Sequence, residues 1–182
     1  MKTKTNIIPY NKKLISLSSS FTSGNSYLDN FLKTNIALDD SFGKTFVWLN
    51  SSNTTILGYY NLGLGYIEQN DFGIISKIGG SVHINCFAMD TNYHNKLQAY
   101  TEDGVKINLS DIMLYDCIDK AIQIRKEYAG FSFITLSSTK EGYSLYLRNG
   151  FMDLDEDMSF STEKSDIECT PMYLPMDLED MM

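Results

Sequence analysis

The octapeptide SLYLRNGF, residues 144–151, sets Tyr146 four residues before a Gly-Phe pair. A phenol has a reference pKa of about 10, so at neutral pH it is protonated and can donate to a departing group. Packing accounts for the same residue. Tyrosines near helix ends bury the ring and satisfy the hydroxyl on backbone, and Gly150 alone is explained by helix termination. On residue types both readings stand, and Tyr143, one turn earlier, competes for either role. The remaining reactive side chains are few. Cys86, Cys117 and Cys169 are odd in number and widely spaced, which suits neither a disulfide framework nor a zinc site. His83 and His94 are the only imidazoles, so a histidine-rich metal site is excluded and no metal is expected.

Composition bounds the class of protein that carries these groups. The 182 residues are 43% hydrophobic and 13% aromatic, enough for one sizeable core and unlike a disordered chain. No stretch of about 18 apolar residues exists, so no spanning helix is expected. The start, MKTKTNIIPYNKKL, has no apolar leader core, and a cytoplasmic location is the expectation. The net charge of −8 is unevenly placed. Residues 1–150 hold 14 Lys+Arg against 13 Asp+Glu, and residues 151–182 hold one Lys against ten Asp+Glu. That balance disfavours electrostatic capture of nucleic acid overall. The acidic segment reads as a solvated face and tail, or as a docking surface over 153–182.

The elements that must position these groups follow from periodicity. Residues 21–40 read as a turn and a helix capped by Ser23 or Asn25, with Leu28, Phe31, Leu32, Ile36 and Leu38 as its apolar stripe. GKTFVWLN (43–50) and residues 54–69 read as strands joined by a turn at Ser52-Asn53. GGSVHINCFAMD (79–90) has apolar residues on both faces and belongs in the middle of a sheet. An Asp-Gly turn inside 91–108 predicts a small hairpin. Residues 109–128 form the best helix, with Ser110 as N-cap and Gly130 as stop. FSFITLSS (131–138) is a strand, and Ser138 with Glu141 is a capping-box pattern opening a helix that ends at Gly150. Strands follow from Phe151 and over 169–176. Strand–helix–strand order favours parallel pairing, and the hairpins favour antiparallel pairing. The expected fold is α/β, a mixed, mostly antiparallel central sheet with helices on both faces. It is read as one domain over 1–176 with an acidic tail over 177–182.

This order and its motifs resemble the GNAT superfamily of acyl-CoA-dependent N-acyltransferases. Leu145 stands where members often have an aromatic, Tyr146 matches their tyrosine, and Gly150-Phe151 match their ending. INCFAMD (84–90) resembles the central strand before the cofactor loop. Residues 21–37, TFVWL, ILGYYNL and MYLPM resemble the subgroup that includes bacterial acetyltransferase toxins. The likeness runs over about residues 14–176 and is sharpest from 82 to 151. One departure lies after the central strand. The family's Arg/Gln-x-x-Gly-x-Gly/Ala loop cradles pyrophosphate on backbone N–H groups, whereas Gly104 is the only glycine between 91 and 110 here.

The resemblance implies acetyl-CoA, or another acyl-CoA, as cofactor and acetyl transfer to a primary amine. The pantetheine arm would pair with the backbone of Cys86, Phe87, Ala88 and Met89, and the N–H of Met89 would polarise the thioester carbonyl. Tyr146 would protonate the departing thiolate. Leu109 and Ser110, with Ile112, would offer N–H groups to phosphate, helped by Lys96 or Lys106, while Asp111 would repel it. Thr139 stands at a cofactor-touching position, with Ser138 beside it, and Arg148 is placed to reach a phosphate. His83, Glu68 and Asp90 are the candidate bases. The acceptor is a small-molecule amine, a protein amine or aminoacyl-tRNA, and a homodimer is carried as an option. The competing expectation is a GNAT-like binding or regulatory protein that has lost the cofactor with the glycines.

Overall fold

The structure is a computed structural model and describes residues 5–102, 104–160 and 169–176. The expected tail 177–182 and part of the acidic segment, 161–168, lie outside the described residues. The strands are β1 (Ile7–Pro9), β2 (Lys44–Leu49), β3 (Ile56–Asp71), β4 (Ile74–Met89), β5 (Leu97–Tyr100), β6 (Lys106–Asn108), β7 (Phe133–Ser138), β8 (Met152–Asp153), β9 (Met158–Phe160) and β10 (Thr170–Pro175). The helices are α1 (Ile15–Ser18), α2 (Ser26–Lys33), α3 (Leu109–Glu127) and α4 (Tyr143–Arg148). No helix among the described residues is long and apolar enough to cross a membrane.

The sheet is mixed and mostly antiparallel, as expected. β1–β2, β2–β3, β3–β9, β7–β10 and β8–β10 pair antiparallel, and β4–β7 pair parallel. The crossover through α3 explains the parallel pair, because parallel neighbours need a long connection. β3 and β4 meet at a two-residue turn, Phe72-Gly73, both at positive φ (50° and 90°). This turn extends both strands to 16 residues, beyond the sequence boundaries of 69 and 79.

Residues divide into two compact units, 1–62 with 85–117 and 63–84 with 118–182. In the first, Asn25 caps α2, its Oδ1 accepting from the N–H groups of Tyr27 and Leu28. The helix carries Phe31 and Leu32 into a core with Val47, Leu49, Tyr59, Cys86 and Ala88. Phe31 stacks on Tyr59 at 6.0 Å and Phe21 meets it edge-on at 5.6 Å. Aromatic pairs of this geometry add about 0.5–1.5 kcal/mol beyond their buried area. Ile36, expected on the α2 stripe, is 43% exposed, because the helix ends at Lys33 and residues 35–38 turn as a 3₁₀ segment. The 91–108 hairpin forms as β5–β6, a two-stranded sheet of its own with Gly104 at φ 78°.

In the second unit the strand register lines up Ile84, Leu136 and Met172, and Val82, Ile134 and, on β10, Leu174. All but Leu174 of these side chains are buried. α3 contributes Ala121 and stops at Glu127, with the Tyr128 and Ala129 N–H groups both donating to Ile124 O. The stop therefore precedes Gly130, where it was expected. β9 was not anticipated; its three residues, Met158–Phe160, pair with Ile67–Gln69 of β3.

Candidate active site

The candidate residues fall into two groups, one in each unit. Cys86, Phe87, Ala88, Met89, Leu109 and Ser110 belong to the first, and Thr139, Tyr146 and Arg148 to the second.

In the first group, the β7 ladder on β4 reaches only from Ser81 to Ile84, so the strand runs five residues past it. Cys86 and Ala88 turn their side chains into the core, 3% and 5% exposed. Burial pushes the Cys86 thiol up to about 12, which makes it an inert packing group and leaves only backbone at this position for a ligand. Met89 is fixed from two sides. Its carbonyl accepts from His94 Nε2 at 2.8 Å, which assigns that nitrogen the proton. Its sulfur lies against Gly58, where an added Cβ would meet Met89 Sδ at 2.6 Å, Met113 Sδ at 2.8 Å and Ala88 O at 2.9 Å. Only glycine lets β3, the end of β4 and the second turn of α3 close up in this way.

The α3 start differs from the expected cap. Ser110 lies inside the first turn, and the residue before the helix is Asn108. Asp111, three residues on, accepts from the Asn108 N–H at 2.9 Å and is 2% exposed. This is the returning half of a capping box, built from Asn-Leu-Ser-Asp. The Leu109 N–H, expected to face phosphate, donates to Lys96 O at 3.1 Å. Lys96 places its ammonium over the Tyr93 ring, 4.7 Å from the centroid. A cofactor diphosphate does not fit this helix start as it stands. One N–H is used by the hairpin and another by the Asp111 side chain.

In the second group, the end of α4 is a Schellman turn. The Phe151 N–H donates to Tyr146 O at 3.1 Å and the Gly150 N–H to Leu147 O at 3.2 Å, with Gly150 at φ 89°. The apolar contact that accompanies this motif joins its first and last residues. Here these are Tyr146 and Phe151, whose rings meet edge-on at 5.7 Å. Tyr146 is 7% exposed and Phe151 1%. The spacing Tyr-x-x-x-Gly-Phe is therefore the local code for a helix stop that aims and clamps a phenol. The start of α4 is different: no side chain caps Gly142, and Ser138 Oγ donates to Thr139 O at 2.8 Å. The expected Ser138–Glu141 capping box is not formed, because Ser138 ends β7 and α4 begins only at Tyr143. Thr139 Oγ1 instead accepts from the Gly142 N–H at 3.3 Å. Arg148 is exposed. Tyr143, the competing phenol, donates to Asp153 Oδ2 at 3.1 Å, and that bond raises its pKa.

Two of the three candidate bases, Asp90 and His83, are engaged by hydrogen bonds. Asp90 accepts from the Thr22 N–H at 3.1 Å, the Asn92 N–H at 2.9 Å and Asn92 Nδ2 at 2.8 Å. His83 is 6% exposed, with Nδ1 2.8 Å from Thr135 Oγ1 and its ring 5.3 Å from Phe160. Burial lowers its pKa to about 4, so it is neutral at pH 7. Glu68 sits half-buried on β3 opposite Ser159 of β9. Sequence reasoning missed Asn108–Asp111 and His83–Thr135. The first was legible as an Asx-x-x-acid pattern before an apolar run. The second is a cross-strand register partner with no local signal.

No family model and no curated protein matches the chain. Solved structures do. The chain is similar to AtaTR bound with AcCoA (TM-score 0.69, 15% identity, 94% of this chain and 93% of that one). It is similar to a tyrosine-to-phenylalanine mutant of the AtaT toxin (0.68, 14%, 94% and 89%). It is also similar to AtaT complexed with acetyl-methionyl-tRNAfMet (0.65, 16%, 86% and 94%). The fold expected from the acetyltransferase-toxin resemblance is the fold the chain has.

Proposed function

We propose that the chain is an acetyl-CoA-dependent N-acetyltransferase that acts on a primary amine, through a single domain over residues 1–176. The observation that carries this reading is Tyr146, held by the Schellman turn at the end of α4 in a chain with the toxins' fold. Acyl transfer from a thioester needs a held acyl arm, a neutral amine, donors for the oxyanion and a proton for the thiolate. On this reading the backbone of Cys86, Phe87, Ala88 and Met89 lines the arm, with the Met89 N–H as oxyanion donor. Tyr146 gives its phenolic proton to the departing sulfur. Thr139 and Arg148 are the remaining contacts to the cofactor, and the Ser110 N–H is the donor left for it at the α3 start once those of Asn108 and Leu109 are taken. The likeness to a toxin complexed with an acetylated aminoacyl-tRNA supports aminoacyl-tRNA as the acceptor to try first. Small-molecule and protein amines are the alternatives.

Thiol release from acetyl-CoA, measured against a panel of amines and an aminoacyl-tRNA, tests the reading. Tyr146→Phe should lower turnover about 10²–10³-fold, the range for losing a general acid, with the melting temperature little changed. Unchanged turnover removes Tyr146 from the acid role. A second reading, a binding protein without turnover, is favoured by one observation, the carboxylate of Asp111 at the α3 start. Absence of both thiol release and pantetheine binding would sink the enzyme reading and leave this one standing.

A further inference from the structure

We infer that the outer edge of the β3–β4 hairpin is a dimer interface, where β4 of one copy pairs antiparallel with β4 of a second about a two-fold axis at Ser76. β4 is 16 residues long, but β7 pairs with it only from Ser81 to Ile84. The Ser132 N–H donates to Gly80 O at 2.8 Å, and beyond it no described strand pairs with residues 74–79 on that side. The Gly80 bond also fixes direction. Backbone polar groups alternate along a strand, so residues 74, 76 and 78 point their N–H and C=O groups outward with Gly80. The tip is apolar as well as open: Phe72 is 103% exposed, Ile74 73%, Ile75 66% and Ile78 39%. A monomer seldom leaves so many large apolar side chains together in water, and an edge strand of this kind invites pairing.

The occupant follows from the sequence of the edge. Pairing centred on Ser76 sets Ile74 opposite Ile78 of the second copy, and Ile78 opposite its Ile74. Residues 74, 76 and 78 then exchange about six N–H···O bonds across the axis, and four isoleucines flank the paired serines on one face. On the other face Lys77 lies opposite Ile75 of the second copy, so no two like charges are directly opposed. Lys77 already rests over its own Tyr66 ring, 4.5 Å from the centroid. Residues 63–80 hold only Glu68, Asp71 and Lys77 as charged groups in a chain of net charge −8, so a second copy meets far less repulsion here than the whole chain implies. The isoleucines and the two Phe72 rings together remove on the order of 1,000 Å² from water, the lower bound for a specific interface. One lysine is too little charge to hold nucleic acid or an anionic lipid surface.

Sedimentation equilibrium of the full chain tests this, with a dissociation constant expected in the micromolar range for an interface of this size. Ile74→Lys with Ile78→Lys sets ammonium groups opposite one another at both ends of the ladder and should raise that constant at least about 100-fold. Ile74→Lys with Ile78→Glu sets opposite charges there instead and should return it to within about tenfold of wild type. Ser76→Pro deletes one outward N–H and should also weaken the dimer. All these positions are on the open edge, so melting temperatures should stay close to wild type. A wild type that remains monomeric at about 100 µM overturns the inference; pelleting of that monomer with phosphatidylcholine vesicles would give the tip a lipid surface instead. A dimer untouched by the lysine pair overturns it too, by placing the contact elsewhere. Equal weakening by the two double variants overturns the two-fold register.

Discussion

At the start of α3 a side chain of the helix itself supplies the acceptor, whereas at the end of α4 the backbone closes on itself. The Asp111 side chain reaches back to the Asn108 N–H, whereas the backbone N–H groups of Phe151 and Gly150 donate back to Tyr146 O and Leu147 O. The first arrangement puts a buried acidic side chain where a ligand was expected. The second uses no side-chain polar group and fixes the Tyr146 ring through its edge contact with Phe151.

Breaking the α4 stop should have the largest effect. Phe151→Ala removes a ring that is 1% exposed and takes the edge contact from Tyr146 with it. Large-to-small changes at such sites cost about 3–5 kcal/mol, read as a lower urea midpoint. A loss under about 1 kcal/mol would mean the ring pair does not hold the stop.

The next effect acts in the same unit as the α4 stop but away from it. His83 has a folded pKa of about 4 and an ordinary value of 6.5. The unfolded chain therefore binds the proton first as pH falls. The stability tied to neutral His83 is complete above pH 6.5 and is lost as pH drops towards 4. Between pH 8 and pH 5 the loss is about 2 kcal/mol by linkage. His83→Gln should flatten that slope in urea titrations at the two pH values. An unchanged slope would place the acid sensitivity elsewhere.

How much of this was readable follows the same division. The α4 stop was legible because a Schellman turn is a local code: glycine at the left-handed position and apolar residues at its two ends. The β4–α3–β7 crossover was legible from the change of hydrophobic period from strand to helix and back. The central position of β4 showed in its two apolar faces. The α3 cap was placed two residues late, at Ser110, because serine and asparagine are equally good caps by type and the Asp111 side chain's return to the Asn108 N–H decides between them. The β3–β4 turn was missed because Phe72 occupies a left-handed position, φ 50°, that sequence reasoning reserves for Asn, Asp or Gly. β9 and the His83–Thr135 bond were not legible at all. Both depend on which strands become neighbours, and no local pattern encodes that.

The smallest effects compare the two caps directly. Gly150→Ala places a methyl 3.5 Å from Leu174 Cδ1, an ordinary contact, so space is not the obstacle. The cost comes from holding alanine at φ 89°, about 1 kcal/mol. Asp111→Asn should cost less, about 0.5 kcal/mol, because the amide oxygen can still accept from the Asn108 N–H and a helix start favours an acidic over a neutral side chain by about this much. Thermal melts of the two variants beside the wild type give the order. If Asp111→Asn is the more damaging, the carboxylate is there chiefly to hold α3 together. If Gly150→Ala is, the stop of α4 depends on its glycine more than the start of α3 depends on its carboxyl group, and that is the order expected where the backbone must hold a left-handed position.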